Sequence, residues 1–165
     1  MKLNLIVAMS KNKCIGINNK LPWYNKDDFT HFAKTTIKHK NNAIIMGSNT
    51  FKSLDYKPLK FRQNIILTKN PFIYNSNNNL KFFNNSQKVI NYCKSKNYDE
   101  AWIIGGDQIY SEFIKNHKLD KAVITLFKTN CNNCDTYATF LSNIKLNIYQ
   151  VKKITNGNIL YCNII

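Results

Sequence analysis

Apolar positions along the chain fall into short compact runs, set apart by polar turns and by stretches of helical spacing. Leu3 to Met9 reads as a first strand, followed by a polar turn at Ser10 to Lys13. Ile15 to Pro22, with Gly16 and the Asn18-Asn19 pair, reads as a loop. Phe29, Phe32, Ala33, Thr36 and Ile37 then recur three and four apart, which predicts a helix from about Lys26 to Ile37 with one buried face. Asn25 suits its N-cap, and Asp27 and Asp28 put negative charge in the first turn, where it is favourable.

Ala43 to Met46 is a compact apolar run ended by Gly47, with a short helix predicted over Ser48 to Leu54. Asn64 to Leu67 reads as a buried strand, Leu80 to Phe83 as a weak strand and Gln87 to Lys96 as a helix. Ala101 to Ile104 is fully apolar and runs into Gly105-Gly106, followed by a helix over Gln108 to Ile114 and a strand over Ala122 to Phe127. At the end, Ile148 to Ile154 and Ile159 to Ile165 flank Asn156-Gly157, a strong hairpin signal. Short strands without polar alternation imply a sheet covered on both faces. The predicted fold is α/β: an open, mostly parallel twisted sheet with helices on both faces and an antiparallel C-terminal hairpin. In such sheets the ligand sits beyond the carboxyl ends of the strands.

The 165 residues fit one domain, 1–165, and 44% are hydrophobic, with ten Phe, nine Tyr and two Trp to fill a core. The apolar runs are far shorter than the roughly 20 residues of a membrane helix. Nor does Met1 to Met9 carry the longer apolar stretch and cleavage site of a secretory signal. A net charge of +15 raises the question of nucleic acid. The lysines are spread from Lys2 to Lys153, however, and Arg62 is the sole arginine, so the guanidinium forks that read bases are lacking. The same field suits small anionic ligands. Asn occurs 27 times, a compositional bias with no mechanism attached, and Asn77 to Asn79 reads as an exposed loop. Five cysteines, an odd count without a signal sequence, point to a reducing compartment. Cys131 and Cys134 form a lone CxxC with no second pair and only scattered His31, His39 and His117. They are expected to be ordinary loop cysteines rather than zinc ligands or a redox pair.

Three features fall where a site is expected. Pro22-Trp23 beside the Gly16 loop supplies either a pocket wall or a core anchor. Asp28 lies one turn before Phe32 on one helix face, so it is either a site carboxylate or a solvated partner of the helix amides, a part Asp27 could also play. Gly105-Gly106 lets a ligand backbone approach a helix N-terminus, which suits phosphate; the GxGxxG fingerprint is absent.

The ordered set Ile15-Gly16, Leu21-Pro22-Trp23, Asp28, Phe32, Met46-Gly47, Thr50-Phe51, Pro58-Leu59, Arg62, Asn64 to Leu67, Ile104-Gly105-Gly106, Tyr110, Thr125 and Asp135-Thr136 resembles the dihydrofolate reductases over nearly the whole chain. The resemblance implies NADPH-dependent reduction of dihydrofolate by a monomeric, cytoplasmic enzyme that needs neither membrane, metal nor nucleic acid. It makes Asp28 the pterin-binding carboxylate with Thr125 as its support, and Leu21 and Trp23 the loop residues that close over nicotinamide and hold a water. Substrate contacts would come from Ile6, Val7, Phe32, Leu59 and Ile104, with Arg62 on the carboxylate of the glutamate tail. The cofactor would meet Ala8, Ile15, Gly47, Ser48, Asn49, Thr50, Leu67, Thr68 and Lys69, then Gly105, Gly106, Asp107, Gln108, Ile109 and Tyr110, and the Gly-Gly peptide would be cis. Tyr110 would either pack beside nicotinamide or anchor its helix.

The chain departs from the family pattern in three places. Ser48 and Asn49 stand where a basic residue is common, Asp107 follows the glycine pair, and Tyr137 to Phe140 lacks the aromatic-Pro ending. The rival enzyme reading is a riboflavin-biosynthesis-type pyrimidine reductase, and the rival from another class is a basic nucleic-acid-binding module.

Overall fold

A computed structural model describes residues 1–38, 41–73 and 75–165. His39, one of the scattered histidines, lies outside the described residues. Eight strands form one sheet in the order β5-β4-β3-β6-β1-β7-β10-β9. These are β1 (Lys2–Met9), β3 (Asn42–Gly47), β4 (Gln63–Leu67), β5 (Leu80–Phe83), β6 (Glu100–Ile103), β7 (Lys121–Phe127), β9 (Leu146–Ile154) and β10 (Gly157–Ile164). The strands from β5 through β7 are parallel, and β10 pairs antiparallel with both β7 and β9. The predicted mixed sheet is therefore present, with strand ends displaced by one or two residues.

Among the described residues, four helices cover it: α1 (Lys26–Ile37), α2 (Ser48–Ser53), α3 (Ser86–Ser95) and α4 (Asp107–Asn116). Alternation along each strand sorts the core into two layers. Leu5, Val7, Ile45, Ile65, Ile103 and Ile124 point to one face, where Val89, Tyr110 and Phe113 of α3 and α4 meet them. Ile6, Ile44, Met46, Ile66, Trp102 and Val123 point to the other, beneath Phe32 and Phe51 of α1 and α2. The chain leaving β1 crosses by α1 to β3, while the chain leaving β6 crosses by α4 to β7. These helices follow neighbouring strands on opposite faces, so a crevice opens at the carboxyl ends of β1 and β6.

The Asn25 side chain accepts a 3.0 Å bond from the Asp28 amide, capping α1 as its sequence predicts. The hairpin turn is Thr155-Asn156, with Gly157 already opening β10 opposite Ile154. A Cβ on Gly157 would meet the Leu126 carbonyl at 2.7 Å, so the close approach to β7 requires glycine there.

Two expectations are corrected. The segment read as loop from Ile15 begins in a short strand, β2 (Cys14–Gly16), which pairs with β8 (Thr136–Tyr137). That ribbon brings Cys14 to Cys134, and the two form a disulfide across 120 positions with Cα atoms 5.8 Å apart. Cys134 is thus not the unpaired loop cysteine expected from the CxxC, and the bridge removes the support that the odd cysteine count gave to a reducing compartment; long-range pairing of two short strands leaves no mark in cysteine spacing. Cys93 and Cys162 are buried thiols, and Cys131 is partly exposed.

Candidate active site

Asp28, Phe32 and Thr36 follow each other at four-residue spacing on the face of α1 that looks onto the sheet. Asp28 is only 7% exposed. Its carboxyl is raised above the usual aspartate value because burial penalises the charge; the nearby Thr125 hydroxyl pulls partly the other way. Thr125 is buried on β7, beside Ala8 of β1. Ile6 and Phe32 belong to the apolar cluster on the same face of the sheet.

The same helix face ends at Arg62, which is 8% exposed. Its Nη1 donates to Thr36 Oγ1 at 2.6 Å and its Nε to the Lys60 carbonyl at 3.1 Å. The guanidinium lies over the Phe32 ring, 5.7 Å from its centre. Eight residues of helix separate Asp28 from Thr36, a rise of ~12 Å. A carboxylate, an aromatic wall and a guanidinium thus line one trough. Leu59 flanks it, clamped by the fully buried Asn64, whose side chain accepts from the Leu59 amide at 2.8 Å and donates to the Leu59 carbonyl at 2.9 Å. Sequence reading missed both Thr36 and Asn64 as supports. Polar residues inside otherwise apolar runs were the available signal.

The second half of the site gathers at the ends of β3, β4 and β6. The Gly105-Gly106 peptide is cis, and Gly105 has φ +114°, a region that favours glycine. The Gly105 carbonyl accepts from the Gly47 amide at 2.8 Å, while the Ile104 amide donates to Ile45, locking β6 to β3. Gly47 pairs in register with Leu67, which sets Ser48, Asn49 and Thr50 of α2 near Thr68 and Lys69. A Cβ on Gly47 would sit 2.9 Å from Ile109, so the head of α4 packs directly on that strand end. A Cβ on Gly106, by contrast, would meet only Thr50 Oγ1, at 3.8 Å. This glycine faces open space before the α4 amides.

Tyr110 anchors its helix. It is 2% exposed and its hydroxyl donates to the Ile6 carbonyl at 2.6 Å, tying α4 to β1; burial raises its pKa far above the ordinary tyrosine value. Ile6 therefore already spends part of its carbonyl on Tyr110. Val7 turns its side chain into the opposite core layer, so it can offer the trough only main chain. Ile104 packs on the Asp28 side of the sheet. On the loop after β2, Leu21 is about half exposed. Trp23 packs its ring 4.9 Å from Phe127, and its Nε1 is buried with no protein acceptor. Among the described residues, no three metal-ligating side chains gather.

Residues 2–159 match the family model described as dihydrofolate reductase. The chain belongs to the dihydrofolate reductase family. It is 39% identical over 137 residues to the dihydrofolate reductase of Ureaplasma parvum serovar 3, covering 82% of this chain and 80% of that one. To the dihydrofolate reductase of Buchnera aphidicola subsp. Baizongia pistaciae it is 36% identical over 154 residues, covering 93% and 87%. Among solved structures it superposes on dihydrofolate reductase from Enterococcus faecalis, complexed with NADP(H) and RAB-propyl, with a TM-score of 0.80. That match is 23% identical in sequence and covers 99% of this chain and 95% of the other. The dihydrofolate reductase fold is thus shared end to end.

Within this family member, the departure at Asp107 has a structural answer. Its carboxylate turns away from the open side of Gly106 and holds the short helical segment Thr139–Asn143. Oδ1 accepts from the Thr139 amide at 2.8 Å and the Phe140 amide at 3.3 Å, and the Thr139 hydroxyl donates to Oδ2. The glycine cradle and the free face before the α4 amides fit a phosphate-bearing cofactor at the strand ends.

Proposed function

We propose that this chain reduces 7,8-dihydrofolate to tetrahydrofolate with NADPH, adding hydride to pterin C6 and a proton to N5. The observation that carries the reading is the α1 face. It presents a buried carboxylate, an aromatic wall and a fixed guanidinium in one line, matching a polar ring head, an aromatic linker and an acidic tail.

Asp28 takes the 2-amino group and N3 of the pterin, and Thr125 steadies the carboxylate from behind. Ile6, Val7 and Ile104 flank the ring, Phe32 and Leu59 pack on the linker, and Arg62 forks onto the tail carboxylate. NADPH, when bound, supplies the hydride. Ala8, Ile15, Gly47 and Thr50 line its nicotinamide half. Ser48, Asn49, Leu67, Thr68 and Lys69 lie toward its adenosine phosphate. Gly105 to Ile109 bring the α4 amides to the pyrophosphate, and Tyr110 fixes that helix against β1. Leu21 closes over the ring and excludes bulk solvent. Trp23 Nε1 holds the water that carries the proton to N5, since Asp28 at the far edge of the pterin does not reach that atom. The reading includes a single-domain, monomeric, cytoplasmic enzyme that needs no nucleic acid.

The test is loss of reduced-nicotinamide absorbance on adding dihydrofolate, repeated with a ribosylaminopyrimidine. Turnover of dihydrofolate is expected. Turnover of the pyrimidine alone would overturn the reading.

A further inference from the structure

The loop that carries Ile15 to Trp23 is bolted at its base. Besides the β2–β8 pairing, the Asn18 amide donates to Asp135 at 2.6 Å and the Ala138 amide to the Lys13 carbonyl at 2.9 Å. The Cys14–Cys134 bridge is the one covalent link between these two segments. A third cysteine stands beside it. Cys131-Asn132-Asn133-Cys134 is a turn, with Asn133 at φ 56°. A four-residue turn brings its end Cα atoms within ~7 Å, and disulfides span about 4.4–6.8 Å. Cys134 therefore has two partners within reach.

Cys131 is also held in place. Its amide donates to Asn12 Oδ1 at 2.9 Å, and Asn12 Nδ2 donates back to its carbonyl at 2.9 Å. Ser10 joins this clasp to the other partner: its hydroxyl donates to Asn12 at 2.6 Å and accepts from the Cys14 amide at 3.0 Å. Cys14 is fully buried, whereas Cys131 and Cys134 are both partly exposed, so the free thiol and the sulfur it would attack lie on the accessible side of the bridge.

We propose that Cys131 and the Cys14–Cys134 bridge form a thiol–disulfide exchange site that sets how firmly the loop over the nicotinamide is held. Cys131 gives its proton to solvent, and the thiolate attacks Cys134 Sγ. The Cys131–Cys134 bond forms, the Cys14–Cys134 bond breaks, and Cys14 leaves as a thiolate that takes up a proton. One disulfide is exchanged for another, with no net oxidation or reduction. The base of the loop is then held to β8 by hydrogen bonds alone. This consequence rests on the proposed NADPH site.

The experiment uses the intact, oxidised chain. Samples incubated at pH 8 without reductant are quenched in acid, denatured, alkylated with N-ethylmaleimide and digested for mass spectrometry. Free Cys14 and a Cys131–Cys134 peptide are expected to appear in the wild type, on the minutes-to-hours scale of uncatalysed exchange, and not in Cys131→Ser. The exchanged fraction should release NADPH about threefold faster or more in stopped-flow chase, as a loosened lid does. Three results would each overturn the proposal: Cys14 remaining bridged in the wild type, all five thiols labelling at once, or exchange with unchanged NADPH release. Dihydrofolate turnover by Cys131→Ser, run in parallel, reports on the proposed reaction separately.

Discussion

The Thr36 hydroxyl and the Arg62 guanidinium meet at 2.6 Å inside the protein. Thr36 donates its own proton to the Phe32 carbonyl at 2.8 Å, so its oxygen is left to accept from Arg62. With the Lys60 carbonyl on Nε, two donors of the fork are fixed from behind. Burial holds its pKa below the usual arginine value, and the remaining donors of the fork are those the proposed reading gives to the tail carboxylate.

Thr36→Val keeps the volume and removes that acceptor. Losing a hydrogen bond to a charged group costs about 1.5–3 kcal/mol. If half of that falls on ligand binding, KM for dihydrofolate rises about three- to tenfold with kcat little changed. Arg62→Leu should raise KM further. A pterin lacking the glutamate tail should be indifferent to both. Equal loss for both ligands in steady-state kinetics would show that the contact acts through folding alone.

Lys69 is exposed just past β4, beside Thr68 and across from the head of α2. Ser48 and Asn49 supply no charge there, so the proposed NADPH site leaves the preference for a 2'-phosphate to Lys69. Lys69→Ala should reduce the ratio of NADPH to NADH efficiency roughly fivefold, the scale of an exposed ion pair of about 1 kcal/mol. The effect should shrink with added salt. Equal efficiency with both cofactors in the wild type would remove the premise.

Apolar runs and glycines made the parallel sheet legible, because each strand buried on both faces shows as a compact block such as Ala43 to Met46. The Asn156-Gly157 signal located the hairpin, though the turn sits one residue earlier. Asp28 was one of two candidates, since Asp27 differs from it only by about 100° around the helix. The ambiguity ends in space: Asp27 is exposed and accepts from the Thr155 hydroxyl at 2.7 Å, while Asp28 lies inside. What stayed illegible depends on contacts distant in sequence. Cys14 with Cys134, Asp107 with Thr139 and Tyr110 with Ile6 each join segments whose local patterns say nothing of one another.

Asp107 stands at the head of α4 but works on Thr139 and Phe140. Phe140 is fully buried and its ring lies 4.5 Å from Tyr110, so this carboxylate helps seat the wall behind the glycine cradle. Asp107→Ala should destabilise the chain by about 0.5–1.5 kcal/mol, the net worth of hydrogen bonds to exposed and part-buried donors. The melting temperature should then fall by a few degrees per kcal/mol, roughly 2–4 °C. Asp107→Asn retains an acceptor and deletes the charge nearest the proposed pyrophosphate site. It should melt closer to wild type and bind NADPH a few-fold more tightly, on the order of 1 kcal/mol. Weaker binding by Asp107→Asn in fluorescence titration would place the pyrophosphate elsewhere.

Asp28 sets function against stability. Burial raises its folded carboxyl above the ordinary value of 3.8. Between these two values the folded chain holds more protons than the unfolded chain, so stability falls as pH rises through the raised value. Asp28→Asn keeps the shape without the charge. It should therefore melt higher than wild type at pH 7, with the gain vanishing once pH drops below the unfolded carboxylate range. The same change should weaken dihydrofolate binding and cut turnover at pH 7 by about a hundredfold or more. Rate should return in part at low pH, where solution acid protonates the substrate. Asp27 gives the contrast. Its carboxyl is lowered, chiefly by the Thr155 hydroxyl and then by the Thr155 amide, and it faces water. Asp27→Asn should change turnover by less than about twofold, as exposed polar changes usually do. Melting curves and pH–rate profiles of the two variants, side by side, decide the matter. A crippled Asp27→Asn with a near-silent Asp28→Asn would show that α1 does not present Asp28 to the substrate.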